Sequence, residues 1–514
     1  MCSGRFPLAR PVSGRAVVTF ALLAASFGGP VGSAEGKEPA REGARPNILL
    51  VFTDDQGWAT LGCYGGKVVP TPNLDRLAKS GARFTDAYVT SQCTPSRASL
   101  LTGQYTARHR LWHVLPWYGY PWARMTEPPF AEDFGRDRFT IADGLREAGY
   151  ATGIMGKWHL TSNKDGNYRG LNPEAAAHYG FDFAPPMLSN DEFAEGADRG
   201  VDTLTDQAIG FIRRNRAKPW FCYLAHHMIH GEVVAPEPLT EKYRKLGYGD
   251  EGPNRAVYLA GLEHIDRSVG RLLKALDDLG EADETLVIFT SDNGGIDQRF
   301  DFKSLPEPHP GEPKFPVDLR EYDNAPLRMG KGAVHEGGVR VPFVARWPGR
   351  VKPGTTVRTP VHIVDLAPTF FELAGAKAPK GHALDGESLV RLLTTGKPGE
   401  LAERPIFQYY PFYDLRWGLT PSASVRKGDY KYVRHFGDRV ADDGRYVPGE
   451  HEALYDLRRD VGEEKNLAGS RTELVAGLRR ELDAWMRDVG AKVPSRNERY
   501  KASRAFTETR RKPE

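Results

Sequence analysis

The sequence predicts an α/β fold: a large, mostly parallel sheet flanked by helices, joined to a smaller C-terminal α+β subdomain of antiparallel sheet plus helix. Three observations predict it. Short continuous apolar runs stop abruptly at polar residues, as in parallel strands buried on both faces. Stretches of helical periodicity stand between those runs, so strand and helix alternate. Near Leu401 the pattern gives way to brief strand-like pieces separated by turns.

The elements follow in order. Ile48-Leu49-Leu50-Val51-Phe52 is the first such run, and it ends at Thr53-Asp54-Asp55. Thr71 and Pro72 start a short helix that carries Leu74, Leu77 and Ala78, with Gly81 as its stop signal. Thr140, Ile141, Leu145 and Ala148 form a helix closed by Gly149, and the strand 150–155 runs into Gly156-Lys157-Trp158-His159. Leu204, Ala208, Phe211 and Ile212 mark a helix, and the strand 220–225 leads to His226-His227-Met228-Ile229-His230. A long helix carries Leu262, Ile265, Val269, Leu272 and Leu276, with Gly280 after its end. The run 285–290 stops at Ser291-Asp292-Asn293. Ligands in open sheets of this kind bind beyond the carboxyl ends of the strands, where four separate strands here deliver polar residues. Past Leu401, the segments 405–409 and 430–433 read as short strands, and Leu474, Leu478, Leu482, Trp485 and Val489 stripe a last helix.

Composition narrows the class. A hydrophobic content of 40% with 27% charged residues is that of a globular chain rather than a disordered one. No apolar run reaches the roughly 20 residues that a membrane-spanning helix needs. Arg5, Arg10 and Arg15 precede the apolar run 16–25, and Gly32-Ser33-Ala34 offers a cleavage point, so 1–34 reads as a secretory signal and the protein is expected outside the cytoplasm, secreted or periplasmic. That segment holds three arginines and no acid, so its removal takes the formal charge of +3 to near zero. With no clustered basic face either, no nucleic-acid partner is expected. A linker, 35–45, precedes the α/β body, 46–395; the subdomain spans 396–491, and a charged tail, 492–514, is expected to be loose. Cys63 and Cys222 read as buried small apolar residues, since two thiols make no disulfide framework.

Cys93-Thr94-Pro95-Ser96-Arg97 places a thiol, a helix start and a cation within five positions. Thr94 suits an N-cap, Pro95 the first helical position and Gly103 the left-handed residue after the last turn. Free N–H groups and the helix dipole favour an anion there, and Arg97 can face the same side. With Leu101-Thr102-Gly103 beyond it, this stretch resembles the signature of the type I, formylglycine-dependent sulfatases of the arylsulfatase A kind, within the alkaline phosphatase superfamily. The resemblance extends over 47–485, and includes Arg426-Lys427-Gly428-Asp429-Tyr430-Lys431 and Leu454-Tyr455-Asp456-Leu457 in the subdomain.

What the resemblance implies is a sulfuric ester hydrolase. Cys93 is then oxidised to formylglycine by a maturation enzyme that reads Cys93, Pro95 and Arg97, and the hydrated aldehyde is the nucleophile. Asp54, Asp55, Asp292 and Asn293 match the family's metal ligands; they offer only oxygen, which suits Ca²⁺, the family's usual ion, with Mg²⁺ also compatible. Gly156-Lys157-Trp158-His159 resembles a family element that supplies Lys157 and His159, and Lys331 is placed against the sulfate. His230, helped by Lys331, is expected to protonate the departing alcohol, and His159 to release sulfate from a covalent sulfo-enzyme. The family usually has Pro before that acid; Ile229 stands there, so His226 and His227 stay open as alternatives. A zinc pair of His226 and His230 is disfavoured, because the preceding residues read as strand and no Glu follows the first His. The expected substrate is a sulfated glycan or a small aryl sulfate. Rival readings are a formylglycine-dependent phosphonate or phosphate ester hydrolase, and an inactive binding protein on the same scaffold. The segment 111–130, with Trp112, Trp117, Tyr118, Tyr120 and Trp122, offers either a platform for a sugar ring or a loop packed on the core.

Overall fold

The computed structural model describes residues 45–514 apart from 117, 298–320, 442–445, 506–508 and 511–514. The expected signal, 1–34, and all of the linker but Arg45 lie outside the described residues. The apolar runs form the middle of one eight-stranded sheet. Its strands are β1 (Asn47–Thr53), β2 (Ala82–Tyr88), β3 (Ala151–Gly156), β4 (Trp220–Ala225), β5 (Thr285–Ser291), β6 (Arg340–Arg346), β7 (Thr355–Val357) and β8 (Val361–His362). They lie in the order β7-β2-β6-β5-β1-β4-β3, with β8 also on β2. β1 is parallel to β4 and β5, and β3 to β4, whereas β6 runs antiparallel to β5 and β2.

Both faces are covered, which is why the central strands are apolar throughout rather than alternating. Ile48, Leu50 and Phe52 of β1 enter one core, and Leu49 and Val51 enter the other. The first core packs under α2 (Cys93–Thr102), α3 (Ile141–Glu147) and α6 (Leu366–Ala374). The second packs under α1 (Pro72–Lys79), α4 (Val201–Arg214) and α5 (Ala256–Leu279). Thr140 caps α3 in a reciprocal capping box with Asp143. Thr71 stands at the N-cap of α1, but its hydroxyl accepts from Gly62 N instead of from the helix. Cys222 is buried as expected; Cys63 is only half-buried.

β6 has no clear signature in the sequence because Pro342 interrupts it. Its pairing with β2 shifts register between Val341 and Phe343, so the proline sits at an irregularity where a strand can do without an N–H. Beyond the large sheet, β9 (Ile406–Tyr410), β10 (Ser422–Lys427), β11 (Tyr430–His435) and β12 (His451–Asp456) form an antiparallel sheet in that order. Leu478 and Leu482 of α7 (Thr472–Asp488) join the first core, and Trp485 stacks on Phe407 with ring centroids 4.5 Å apart. The tail is not loose throughout: Ser495–Arg496 pairs with Met125–Thr126, and Thr509–Arg510 with Tyr118–Gly119.

A buried ionic network joins the two sheets. Lys431 of β11, 2% exposed, lies 3.0 Å from both Glu336 and Glu463. Glu336 also accepts from Tyr88 Oη at 2.7 Å and pairs with Arg340 at 3.2 Å, while Asp86 pairs with Arg340 and Arg426. Removing one partner from such a network strands a charge in low dielectric. Lys431→Met should therefore lower stability by about 3–5 kcal/mol, read as an earlier midpoint of urea unfolding. An unchanged midpoint would show that Glu336 and Glu463 are not held as buried anions.

Candidate active site

The parallel strands all present their carboxyl ends at one edge of the sheet, and the sequence changes from apolar to polar there. β1 hands over to Asp54 and Asp55, β5 to Asp292 and Asn293, β3 to Lys157 and His159, and β4 to the histidine segment. Backbone bonds lock these exits together: Asp54 N donates to Met228 O at 2.9 Å, Ile229 N to Asp54 O at 2.6 Å and Asp292 N to Thr53 O at 3.1 Å. The Met228–Ile229 peptide is cis. Asp55 has a φ of 58° and His159 a φ of 54°, left-handed conformations that are uncommon for non-glycine residues. Gly294 is needed for close approach, since a Cβ there would lie 1.7 Å from the Gly337 carbonyl oxygen.

Cys93 is fully buried and is the first residue of α2. The helix starts earlier than Thr94 would predict, with Gln92 at the N-cap and no side-chain cap. Thr94 Oγ1 is engaged in tertiary contacts instead: it donates to the His159 carbonyl at 2.9 Å and accepts from Leu115 N at 3.4 Å. Gly103 does end the helix in the left-handed conformation, with φ 66°. Cys93 Sγ lies 3.6 Å from His159 Nδ1, and burial pushes the thiol pKa up, with Lys157 and Lys331 opposing.

The carboxylates are met by three cations. Arg97 Nε and Nη2 converge on Asp292 Oδ2 at 3.1 and 2.8 Å, Lys157 Nζ bonds Asp54 Oδ2, and Lys331 Nζ lies 2.8 Å from Asp55 Oδ2. Asn293 Nδ2 donates to Asp55 Oδ1 at 2.7 Å. Burial, followed by the charge of Asp54, raises the Asp292 pKa; Asp54 is held low by Lys157, His230 and Arg97 against its own burial. Asp54 Oδ1 and Asn293 Oδ1 are buried without a hydrogen-bond partner, although Arg97 Nη2 stands 4.0 Å from Asp54 Oδ1. Ligand atoms of Asp54, Cys93 and Asp292 lie within 4.8 Å of one another. Unpaired, inward oxygens on a carboxylate-rich donor set are what a hard cation takes up, so the residues fit one.

The histidines separate. His226 Nε2 bonds Ser268 Oγ on α5 at 3.2 Å, which puts it behind the strand ends and removes both its acid role and the zinc pair with His230. His230 Nε2 lies 3.8 Å from Asp55 Oδ2 beside the cation cluster. His227 is buried, its Nε2 has no partner, and its ring meets Phe193 at 5.3 Å. Arg199, which no motif flags, donates from Nη1 to the carbonyls of His230 and Gly231 at 2.5 and 2.7 Å. The aromatic segment divides as well: Trp112 is buried against Phe130 and Tyr409 and belongs to the core. The segment reaches the site through Leu115, whose carbonyl lies 2.7 Å from His159 Nε2. A cavity of about 610 Å³, lined by Tyr120, Phe130, Phe412 and Tyr413 among others, opens along the same loop.

This thiol at a helix start, set against a carboxylate cluster at the ends of parallel strands, lies within a stretch that matches a known enzyme family. The sulfatase family model matches residues 46–376, and the model described as N-sulphoglucosamine sulphohydrolase, C-terminal, matches 329–488. The chain belongs to the sulfatase family, enzymes that hydrolyse sulfate esters. Human arylsulfatase A is 34% identical over 488 residues, covering 85% of each chain. N-acetylgalactosamine-6-sulfatase of Canis lupus familiaris is 31% identical, covering 87% of this chain and 86% of its own. The crystal structure of Ps i-CgsB in complex with k-i-k-neocarrahexaose superposes with a TM-score of 0.67 at 26% identity, covering 87% of this chain and 94% of that one.

Gly294 tests how tightly the strand ends are held. Gly294→Ala must push the Asp292–Asn293 turn away from Gly337, so it should cost about 1–3 kcal/mol and reduce activity together. Full activity and stability in that variant would contradict the close approach.

Proposed function

We propose that the protein is a carbohydrate sulfatase that cleaves a sulfate monoester with a formylglycine formed from Cys93. The observation that carries the reading is Cys93 itself, buried at a helix start within 3.6 Å of a histidine nitrogen and against three carboxylates and three cations. The carbohydrate part is supported by the relative named for N-acetylgalactosamine 6-sulfate and by the neighbour solved with a neocarrahexaose. No helix among the described residues is long and apolar enough to cross a membrane, and a cleaved signal at 1–34 with export to the periplasm or medium completes the reading.

In this reading Asp54, Asp55, Asp292 and Asn293 hold Ca²⁺, with Mg²⁺ as the alternative. When bound, the ion supplies a fixed positive charge that polarises the ester. Oxidation by a maturation enzyme replaces the Cys93 thiol by an aldehyde, whose hydrate offers one hydroxyl to attack sulfur and a second whose deprotonation drives sulfate out. Arg97 fixes Asp292 and the start of α2, while Lys157 and Lys331 bind the sulfate oxygens in a dry pocket where their charge counts most.

His159 serves as the base. Its Nε2 faces the Leu115 carbonyl, an acceptor, so Nε2 carries the proton and Nδ1, aimed at residue 93, is free to take one. Burial first, then Lys157, hold its pKa well below the usual value, which keeps the ring neutral and ready. His230 and Lys331 converge on the same oxygen of Asp55 and together supply the proton to the leaving alcohol. Burial and then Lys331 bring His230 down to about 4, with Asp55 and Asp54 opposing; an anionic ester arriving beside it pulls in the opposite direction, toward the protonated acid.

Metal removal gives one test. A chelator should abolish turnover and lower the melting temperature together, with calcium restoring both. Because Asp292 is raised in the metal-free site and must ionise to bind, calcium should bind with proton release and more weakly at about pH 6 than at about pH 8. Recovery with zinc alone would contradict the ligand set.

Leaving-group dependence gives the other. On a sulfated sugar, His230→Ala should lose about 10²–10⁴-fold, and much less on nitrophenyl sulfate, whose phenolate departs without help. His159→Ala should slow both. Equal losses in His230→Ala would remove it as the acid, and faster release from a phosphonate than from a sulfate ester of one phenol would overturn the sulfatase reading.

A further inference from the structure

Arg199 is a buried cation with no anion. Its side chain is 6% exposed, and each other arginine buried this deeply among the described residues meets a carboxylate: Arg97 with Asp292 at 2.8 Å, Arg340 with Asp86 at 3.2 Å and Arg426 with Asp86 at 2.8 Å. Arg199 has only the two carbonyls of His230 and Gly231 on Nη1, and its Nε is buried without a partner. Burial pushes its pKa down, while Asp54, Glu232 and Asp55 oppose this from beyond ion-pair distance. Taking a guanidinium out of water without a counter-charge is unfavourable, so such a group is normally found paired.

Its surroundings suit a ligand from outside. The guanidinium lies over the Phe193 ring at 5.3 Å, and that of Arg169 lies over the same ring at 4.9 Å. Phe193 meets Tyr168 edge-on at 6.0 Å, and Tyr168 is 43% exposed, which is unusual for a large aromatic residue in this protein. Asn167, next to Tyr168, accepts from His159 N at 3.0 Å, and Arg199 grips the His230 carbonyl, so the cluster is tied to two candidate catalytic histidines. Arg169 also lies over the Tyr168 ring at 5.5 Å and donates from Nε to Tyr168 Oη at 3.0 Å, so two guanidinium groups and a partly exposed phenol gather in one place and offer donors to an oxyanion.

We propose that Arg199, with Arg169 at the rim, binds a second oxyanion of the substrate beside the scissile sulfate, so that the preferred glycan carries a further sulfate or carboxylate. The inference rests on the carbohydrate sulfatase reading. Asp54 and Asp55 repel such a group only weakly once their own charges are matched by Lys157, Lys331 and a divalent ion, and the guanidinium of Arg199 completes its donor set with the incoming oxygens.

The test uses the calcium-loaded full chain with Cys93→Ala, which binds without turnover. Calorimetry compares disaccharides that share one sulfate ester and differ in a second group: sulfate, carboxylate or neutral hydroxyl. Each doubly anionic form should bind about 10–100-fold more tightly than the hydroxyl form, as expected for hydrogen bonds to a charged group, and the stronger of the two identifies the oxyanion. Arg199→Met should erase this preference, Arg199→Lys should keep part of it, and Arg169→Ala should reduce it by about 2–5-fold. Equal weakening of all three ligands in Arg199→Met would show that Arg199 only positions the His230 segment, and would overturn the proposal. Sulfate release by the parent protein is followed on the same compounds. Release with no preference for the doubly anionic forms overturns the inference and leaves the sulfatase reading intact; a binding preference without release keeps Arg199 as an oxyanion site but counts against that reading, and with it against a scissile sulfate beside the site.

Discussion

Arg97 holds the site to the fold. From α2 it reaches Asp292 beyond β5 through Nε and Nη2, the Lys157 carbonyl beyond β3 at 3.2 Å and Tyr223 Oη of β4 at 3.5 Å, with its guanidinium over the Phe52 ring of β1 at 5.2 Å. One fully buried side chain therefore fixes the helix that bears Cys93 against the ends of four strands. A lysine could not do this, because a single ammonium lacks the planar fork that meets several acceptors at fixed angles. If the guanidinium were lost, Asp54 and Asp292 would face each other in low dielectric with one cation fewer, and Cys93 would lose its register with His159.

The charge pattern around that contact explains why the site can be both stable and reactive. Asp54, Asp55 and Asp292 stand against Arg97, Lys157 and Lys331, and this pairing of opposite charges lets the cluster stay buried. In the proposed function a bound divalent ion would tip the cluster positive and suit it to an anionic ester. Asp54 Oδ1 and Asn293 Oδ1 are buried without a hydrogen-bond partner, which is what the proposed ion would supply. The same logic, an unmet charge held in place by the fold, reappears at Arg199 on the other side of the histidine segment.

Most of the site was legible in the sequence because its residues follow apolar runs. β1, β4 and β5 are buried on both faces, so their ends are sharp; Asp54, Asp55, Asp292 and Asn293 follow those ends, but their role comes from the resemblance to the family's motifs, as does that of His230, with His226 and His227 left open beside it. β6 and β2 were not legible: Pro342 breaks the first, and the second mixes Arg83, Thr85 and Asp86 into a half-buried strand. The N-cap at Gln92 was hidden because the Thr94 hydroxyl has a distant partner, His159 O, that no local pattern reveals. The engagement of His226 depends on Ser268, and the isolation of Arg199 on the lack of a carboxylate within ion-pair distance among the described residues; both are facts of tertiary packing.

The central claim is that Cys93 works only after oxidation to formylglycine. Mass spectrometry of the tryptic peptide that contains residue 93, across preparations of graded specific activity, tests it most directly. The account predicts that sulfate release rises in proportion to the fraction of aldehyde and vanishes where only the thiol is present. Full activity in protein whose Cys93 is entirely unmodified would contradict it.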